Sequence, residues 1–202
     1  MTQLLGNLQR RMKTVRELQD IVDTMKTMPS LNINTYEKVD VSLAEYFRVI
    51  ETAFCAVLRQ YPLASLVEPK KFSSGRVGLV VFGSDQGMVG QFNDCLVAAV
   101  AQEASLQEEP CLVWCMGEKM GLKLQEAALP LSISRLERVP DVASKIIRLM
   151  ESMLLDIVDK QEKDGLAELL LFYNQAQPGG RYKPAVEQLL PLDAAWLQEL
   201  VE

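Results

Sequence analysis

The fold is decided by the stretch VGLVVFGSDQGMVGQF, residues 77–92, in which an apolar run of strand length meets a glycine-rich turn. The run Val77–Phe82 has no polar interruption, and such continuity predicts a strand that is covered on both faces of a sheet. The apolar positions Phe92, Leu96 and Val100 that follow recur with helical spacing. A strand, a glycine-rich turn and a helix in this order are typical of α/β folds with parallel strands.

The same alternation continues to about residue 192. Unbroken apolar runs predict two more buried strands, and shorter patterns predict two peripheral ones, at Cys111–Met116, Leu169–Tyr173, Leu131–Ser134 and Ala185–Leu190. Helical spacing separates them at Glu118–Glu126 and from Val142 to Ile157. Because strands alternate with helices, we predict an α/β domain at residues 76–192 with a small, mostly parallel sheet of about five strands flanked by helices.

The first 60 residues have the pattern of two long, one-sided helices. Apolar side chains step by three or four residues along two seams, Leu8-Met12-Val15-Leu18-Val22-Met25 and Val39-Leu43-Tyr46-Ile50-Ala53-Val57. A narrow apolar seam on an otherwise polar helix is typical of a coiled coil. Pro29 lacks an amide hydrogen, so we expect the helix to kink or break there, at a cost of about 3 kcal/mol if it continues.

These patterns divide the chain into four regions. The helical, coiled-coil region covers residues 1–60, and proline, glycine and serine at residues 61–75 predict a linker. The α/β domain follows, and residues 193–202 begin a C-terminal segment.

The composition excludes several classes of function. With 21 Lys and Arg against 27 Asp and Glu the formal net charge is −6, which argues against a general nucleic-acid binder. The absence of histidine removes histidine-based catalytic triads and the common histidine-containing zinc sites. Cys111 and Cys115 fall in a predicted buried strand, so we interpret them as reduced core thiols rather than as a redox or metal pair. We expect no catalytic residue, metal or cofactor.

The loop after the first strand is where an α/β fold would hold a phosphate. Its candidate residues are Gly83, Ser84, Asp85, Gln86, Gly87 and Gly90. A dinucleotide-binding loop requires glycine where Asp85 stands, and no Lys-Ser/Thr pair completes a P-loop. We therefore favour a structural role, in which Gly83, Gly87 and Gly90 permit a tight turn with positive φ while Asp85 or Ser84 caps backbone amides. A small-molecule- or nucleotide-binding α/β domain with a helical interaction arm remains the alternative function.

The loop also resembles a segment of a known family. Ser84-Asp85-Gln86-Gly87-Met88-Val89-Gly90 is similar to the Ser/Thr-Asp-Arg-Gly-Leu-Cys-Gly segment of the gamma subunit of rotary ATP synthases, and Asn93 also fits. Gly6–Met28 resembles the N-terminal helix of that family, and Gln188–Leu192 resembles its last strand, so the resemblance covers about residues 4–192. The chain departs from the family at Gln86, Met88, Val89 and Pro29–Asn34, and these departures resemble the divergent branch of alternative, sodium-linked ATPases.

The resemblance implies a non-catalytic central stalk, or rotor, that couples ion flow through a membrane ring to ATP synthesis or hydrolysis. The implied partners are the catalytic alpha and beta subunits, the epsilon subunit and the membrane c-ring, with the complex at the cytoplasmic face of the cell membrane. In that family a long C-terminal helix pairs with the N-terminal helix. Because this sequence stops at Glu202, we expect it to be truncated before that helix, and we expect the uncovered seam to fold back, self-associate or fray.

Six residues of the N-terminal helix are candidates for contact with these partners. They are Arg10, Arg11, Lys13, Arg16, Met25 and Lys26. The basic side chains suit contact with carboxylates on a surrounding ring, although a solvated polar face would have the same pattern. Met25 stands at a position resembling the coupling region of the family.

Overall fold

The computed structural model describes residues 2–59 and 75–192, together with Leu197. Its elements in chain order are α1 (Thr2–Leu58), β1 (Arg76–Phe82), α2 (Phe92–Ala104), β2 (Cys111–Met116), α3 (Glu118–Glu126), β3 (Leu131–Glu137), α4 (Ala143–Asp164), β4 (Leu166–Gln177) and β5 (Arg181–Leu190). The chain divides into two compact units, Met1–Ala53 and Phe54–Glu202. The predicted linker lies outside the described residues apart from Gly75, and so does the predicted C-terminal segment apart from Leu197.

The N-terminal unit is one continuous helix, and the predicted break at Pro29 is wrong. Helix α1 runs unbroken from Thr2 to Leu58, a length of 57 residues, or about 85 Å at 1.5 Å per residue. A proline removes one backbone hydrogen bond and crowds one preceding turn, at a cost of about 3 kcal/mol. That cost is local, and the backbone on both sides of residue 29 continues as helix.

The unbroken helix joins the two predicted seams into a single line. Met25 and Val39 are 14 residues apart and Leu8 and Val57 are 49 residues apart, so both seams share one seven-residue repeat. A strict repeat of seven residues keeps apolar side chains on one stripe of a gently supercoiled helix. The described side chains of this stripe are largely exposed, with Leu18 57% accessible. We call this stripe, with positions 8, 15, 18, 22, 39, 43, 46, 50 and 57, the α1 seam.

The C-terminal unit contains the predicted sheet. Five strands lie in the order β3-β2-β1-β4-β5, with β1 to β4 parallel and β5 antiparallel to β4. The predicted fold class is therefore confirmed, although β4 and β5 are longer than the patterns indicated because they form a hairpin. Pro184 lies inside β5, opposite Asn174, and is tolerated because β5 is an edge strand.

Apolar side chains cover both faces of this sheet. On β2, Cys111, Val113 and Cys115 face one core layer, whereas Leu112, Trp114 and Met116 face the other. Helices α2 and α3 cover the first face, and α4 covers the second with Met153 and Ile157. The continuous apolar runs of the sequence follow from this burial on both sides.

Candidate functional site

The glycine-rich loop at residues 83–91 lies at the carboxyl end of β1, between β2 and β4 in the sheet. This edge is where open α/β sheets bind their ligands. The contacts of the loop decide whether its polar groups are free to bind a ligand.

Asp85 is fully engaged by backbone amides from two other segments. Its Oδ1 accepts a hydrogen bond from the Glu118 amide at 2.7 Å, and its Oδ2 accepts one from the Val139 amide at 2.8 Å. Glu118 is the first residue of α3, whose N-cap residue Gly117 provides no side-chain cap. Asp85 therefore caps α3 from a distance of 33 residues along the chain and places a negative charge at the positive end of its dipole. This confirms the capping role predicted for it.

Ser84 and Asn93 fix the two ends of the loop. The Ser84 amide donates to Asn93 Oδ1 at 2.9 Å, and Asn93 is only 1% exposed. The Gln86 amide donates to Ser84 Oγ at 3.0 Å, which closes a serine turn within the loop. The Asn174 Nδ2 amide, from β4, donates to the Phe92 carbonyl at 2.7 Å. Sequence patterns gave no sign of Asn174, because it is 82 residues from its partner.

The glycines of the loop differ from the prediction. Within the loop, φ is positive at Met88, at 57°, and at Gly90, at 61°. Gly87 does not have a positive φ, and there is open space where a Cβ on Gly87 would lie. Gly83 is required for a different reason, since a Cβ there would overlap the Met120 side chain and lie 3.0 Å from Asn93 Oδ1. The positive φ assigned to Gly83 and Gly87 is therefore wrong, and the glycine at position 83 serves close packing against α3.

Two clefts of the C-terminal unit lie near charged side chains. One, of about 540 Å³, adjoins Asp85 and is lined by Arg138, Asp141 and Lys145. Its cations are already paired, Arg138 with Glu118 at 2.7 Å and Lys145 with Asp141 at 2.6 Å. With Asp85 occupied as well, this cleft does not provide a cradle for a phosphate.

The other cleft, of about 510 Å³, lies at the opposite end of the strands and is lined by Arg76, Glu109 and Glu168, among others. Burial, and secondarily Glu103, raise the pKa of Glu168. Among the residues that the structure describes, no group of three Cys, Asp or Glu side chains is arranged to hold a metal ion.

The two cysteines of β2, Cys111 and Cys115, are buried free thiols. Burial raises the pKa of Cys115 to about 12, with a further contribution from Asp85, and burial likewise raises the pKa of Cys111. Both thiols are free and fully covered. Because only the thiolate is a good nucleophile or metal ligand, the predicted core role is confirmed.

The predicted contact residues all belong to α1. Arg10, Arg11, Lys13, Arg16 and Lys26 are exposed. Lys13 approaches Glu17 at 3.8 Å, an exposed pair that contributes about 0–1 kcal/mol. The Met25 side chain lies outside the described residues. No helix in the described part of the chain is long and apolar enough to span a membrane.

Comparison with known families identifies the chain. The family model described as ATP synthase matches residues 5–200. The chain belongs to the ATP synthase gamma-chain family. The predicted membership of the gamma-subunit family is thereby confirmed.

Several gamma chains are similar over nearly the whole sequence. The ATP synthase gamma chain of Malacoplasma penetrans is 20% identical over 192 residues, which are 95% of this chain and 65% of that protein. That of Staphylococcus epidermidis is 21% identical over 93% of this chain and 65% of its own length. That of Acetivibrio thermocellus is 20% identical over 98% and 67%. The chain thus spans about two thirds of the length of these gamma chains.

The chain also matches chains in solved structures of two ATP synthases. A chain of the central stalk and c-ring of the Tetrahymena thermophila mitochondrial ATP synthase has a TM-score of 0.45 and 18% identity, over 80% of this chain and 75% of that one. A chain of the Euglena gracilis mitochondrial ATP synthase rotor has a TM-score of 0.44 and 14% identity, over 81% and 63%.

Proposed function

We propose that this gamma-family chain is a non-catalytic central-stalk subunit, a rotor that couples ion flow through a membrane ring to ATP synthesis or hydrolysis. The observation that carries the proposal is α1, an unbroken helix of 57 residues with an exposed apolar seam. A shaft must transmit torque along its length, and a long helix that pairs along one line is stiff enough to do so. The match to the gamma family over residues 5–200 supports the same role.

The chemistry of the C-terminal unit supports a structural role rather than catalysis. Asp85 is held by two backbone amides at 2.7 and 2.8 Å. The thiol of Cys115 is protonated at neutral pH, because its pKa is about 12. The sequence contains no histidine to act as a general base.

The proposed partners are the catalytic alpha and beta subunits around α1, the epsilon subunit and the membrane c-ring. Arg10, Arg11, Lys13 and Arg16 are exposed basic side chains on an acidic protein, and this exposure supports contact with carboxylates of a surrounding ring, although Lys13 also approaches Glu17. The complex would hold the chain at the cytoplasmic face of the cell membrane. Assignment to the sodium-linked branch stays a prediction that depends on Gln86, Met88 and Val89.

Co-purification with catalytic alpha and beta subunits tests this function. We expect the chain to assemble with them, and we expect charge reversal of Arg10, Arg11 and Lys13 to Glu to weaken assembly while the fold stays intact, because these side chains are exposed. Reversal of Lys119, Arg181 and Lys183, which are exposed on the C-terminal unit, is the matched control with the same change in charge. Assembly that both triple variants affect equally would contradict the assigned contact.

Equilibrium binding of labelled ATP to the isolated chain tests the alternative function. The central-stalk role predicts no saturable binding, because residues 83–91 contain no lysine or arginine and the Asp85 carboxylate would repel a phosphate. Saturable binding that is lost on substitution in residues 83–90, together with failure to assemble, would instead establish a nucleotide-binding domain.

A further inference from the structure

The middle of α1 is missing one of the backbone hydrogen bonds that hold a helix together. Pro29 has no amide hydrogen, so the carbonyl of Met25 receives no hydrogen bond from the residue four positions further on, and the proline ring crowds the same carbonyl. The helix nevertheless continues through this position. The unbroken helix excludes a fold-back of the first seam on the second, so a change of direction here is a bend within one helix.

The residues that follow Pro29 weaken the same part of the helix by their composition. Five of the seven residues 29–35 are Pro, Ser, Asn or Thr, which have lower helix propensities than alanine or leucine. Short polar side chains also offer the backbone alternative hydrogen bonds that compete with the helix. The seven residues 15–21 contain none of these four residue types.

Charged side chains support α1 on both sides of this stretch but not within it. Residues 27–36 carry no charge, so no oppositely charged pair three or four residues apart can form there. On the amino-terminal side Lys13 approaches Glu17 at 3.8 Å. On the carboxyl-terminal side Glu45 and Arg48 have the spacing of such a pair. Three independent properties therefore make the same turns the weakest of the helix: a missing hydrogen bond, low propensity and absent ion pairs.

We propose that residues 29–35 form a hinge of α1, a segment at which the helix opens and bends reversibly while the parts on either side stay helical. Local opening occurs where the free energy that opposes it is lowest. A rod under load deforms most at its least stiff segment, so bending and twisting of α1 concentrate at this hinge.

The hinge goes beyond the proposed function and does not depend on it. It follows from the backbone chemistry and the composition of one segment, whichever helix packs against α1. In a central stalk, it would let the amino-terminal part of α1 change direction relative to the part that follows residue 35.

Hydrogen exchange of the whole chain tests the local opening. After correction for intrinsic exchange rates, we expect the backbone amides of residues 30–36 to exchange about 10-fold or more faster than those of residues 15–21. Pro29→Ala should slow the exchange of residues 30–36 by about 10-fold or more, because it restores a hydrogen-bond donor and raises the helix propensity.

Asn7→Ala is the matched control, because it also raises the helix propensity of α1 but lies far from the hinge. It should leave the exchange of residues 30–36 unchanged. Equal exchange in residues 15–21 and 30–36, or equal effects of Pro29→Ala and Asn7→Ala, would overturn the proposal.

Distances between spin labels across the hinge test the bending. In a background with Cys55→Ser and Cys95→Ser, labels are attached at Gln19→Cys and Arg48→Cys. A straight helix places these positions about 44 Å apart, at 1.5 Å per residue. We expect a broad distribution that extends to shorter distances.

The variant with Pro29→Ala, Asn32→Ala and Asn34→Ala should narrow this distribution around the distance of a straight helix, because alanine has the highest helix propensity. A second label pair at Lys38→Cys and Thr52→Cys, which lies on one side of the hinge, is the control and should give the same width in both chains. A distribution across the hinge that is as narrow in the parent chain as in the triple-alanine variant would refute the hinge.

Discussion

Replacing Asp85 with Asn tests whether the hydrogen bonds of the loop after β1 stabilise the fold. The carboxylate accepts one backbone amide on each oxygen, from Glu118 at 2.7 Å and from Val139 at 2.8 Å. An asparagine keeps one acceptor but turns its NH₂ group toward the other amide, so one hydrogen bond is lost and two donors face each other. A hydrogen bond to a charged group contributes about 1.5–3 kcal/mol. Because Asp85 is only half-buried and water can partly replace it, we expect a loss of about 1–2 kcal/mol in the free energy of unfolding.

Urea denaturation of the whole chain, followed by the fluorescence of the buried Trp114, measures this loss. Asp94→Asn is the matched control, because it makes the same chemical change in an exposed ion pair with Lys123, which contributes about 0–1 kcal/mol. Asp85→Asn, like the parent chain, should show no saturable binding of labelled ATP. If Asp85→Asn lowers the free energy of unfolding no more than Asp94→Asn does, the hydrogen bonds of Asp85 do not stabilise the fold and the reasoning is refuted.

Two further predictions concern the core around this loop. Gly83→Ala should destabilise the fold by about 1–3 kcal/mol, because its Cβ would overlap Met120. The control Gly87→Ala should change the free energy of unfolding by less than about 0.5 kcal/mol. Thermal denaturation of both variants measures the difference, and equal effects would contradict the packing argument. The thiol of Cys115 should react with a thiol reagent only upon unfolding, because the rise of its pKa from 9.0 to about 12 lowers its thiolate fraction by about 1000-fold near neutral pH. Because the pKa of Cys115 is higher in the folded chain than in the unfolded chain, the protonated thiol contributes its full stability below pH 9.0 and loses it as the pH rises toward 12. Denaturation at pH 8 and pH 10, with Cys115→Ala as the control, measures this loss. If the difference in stability between the two chains is the same at both pH values, the prediction is contradicted.

The strands and helices of the C-terminal unit were predictable from sequence because buried positions are apolar and their spacing follows the type of element. Residues 111–116 are apolar throughout, and the structure covers both faces of that strand. The hairpin extension of β4 and β5 was not predictable in the same way, since its outer residues are exposed and carry no apolar pattern. Pro184 lies just before the predicted strand Ala185–Leu190, but β5 includes it because an edge strand accommodates a proline.

The expected break at Pro29 does not occur, because the effect of a proline is local and the helix around it is long. A proline penalty of about 3 kcal/mol applies to one turn, whereas the two seams on either side share one seven-residue phase over 49 residues. That phase is visible in the sequence and indicates a single helix. The sequence does not predict the positive φ at Met88, because such a conformation is unfavourable for methionine.

The sequence by itself determined the order of elements, the apolar faces and the choice of a structural role for the loop, because composition and periodicity are local properties of the chain. Only the tertiary structure decided which amides Asp85 holds and why residue 83 must be glycine. These contacts join residues 33 and 54 positions apart for Asp85 and bring position 83 against Met120. Hydrogen bonds and close packing act over a few ångströms in space, whatever the separation along the chain, so they exist only once the sheet has placed β1, α3 and the end of β3 side by side.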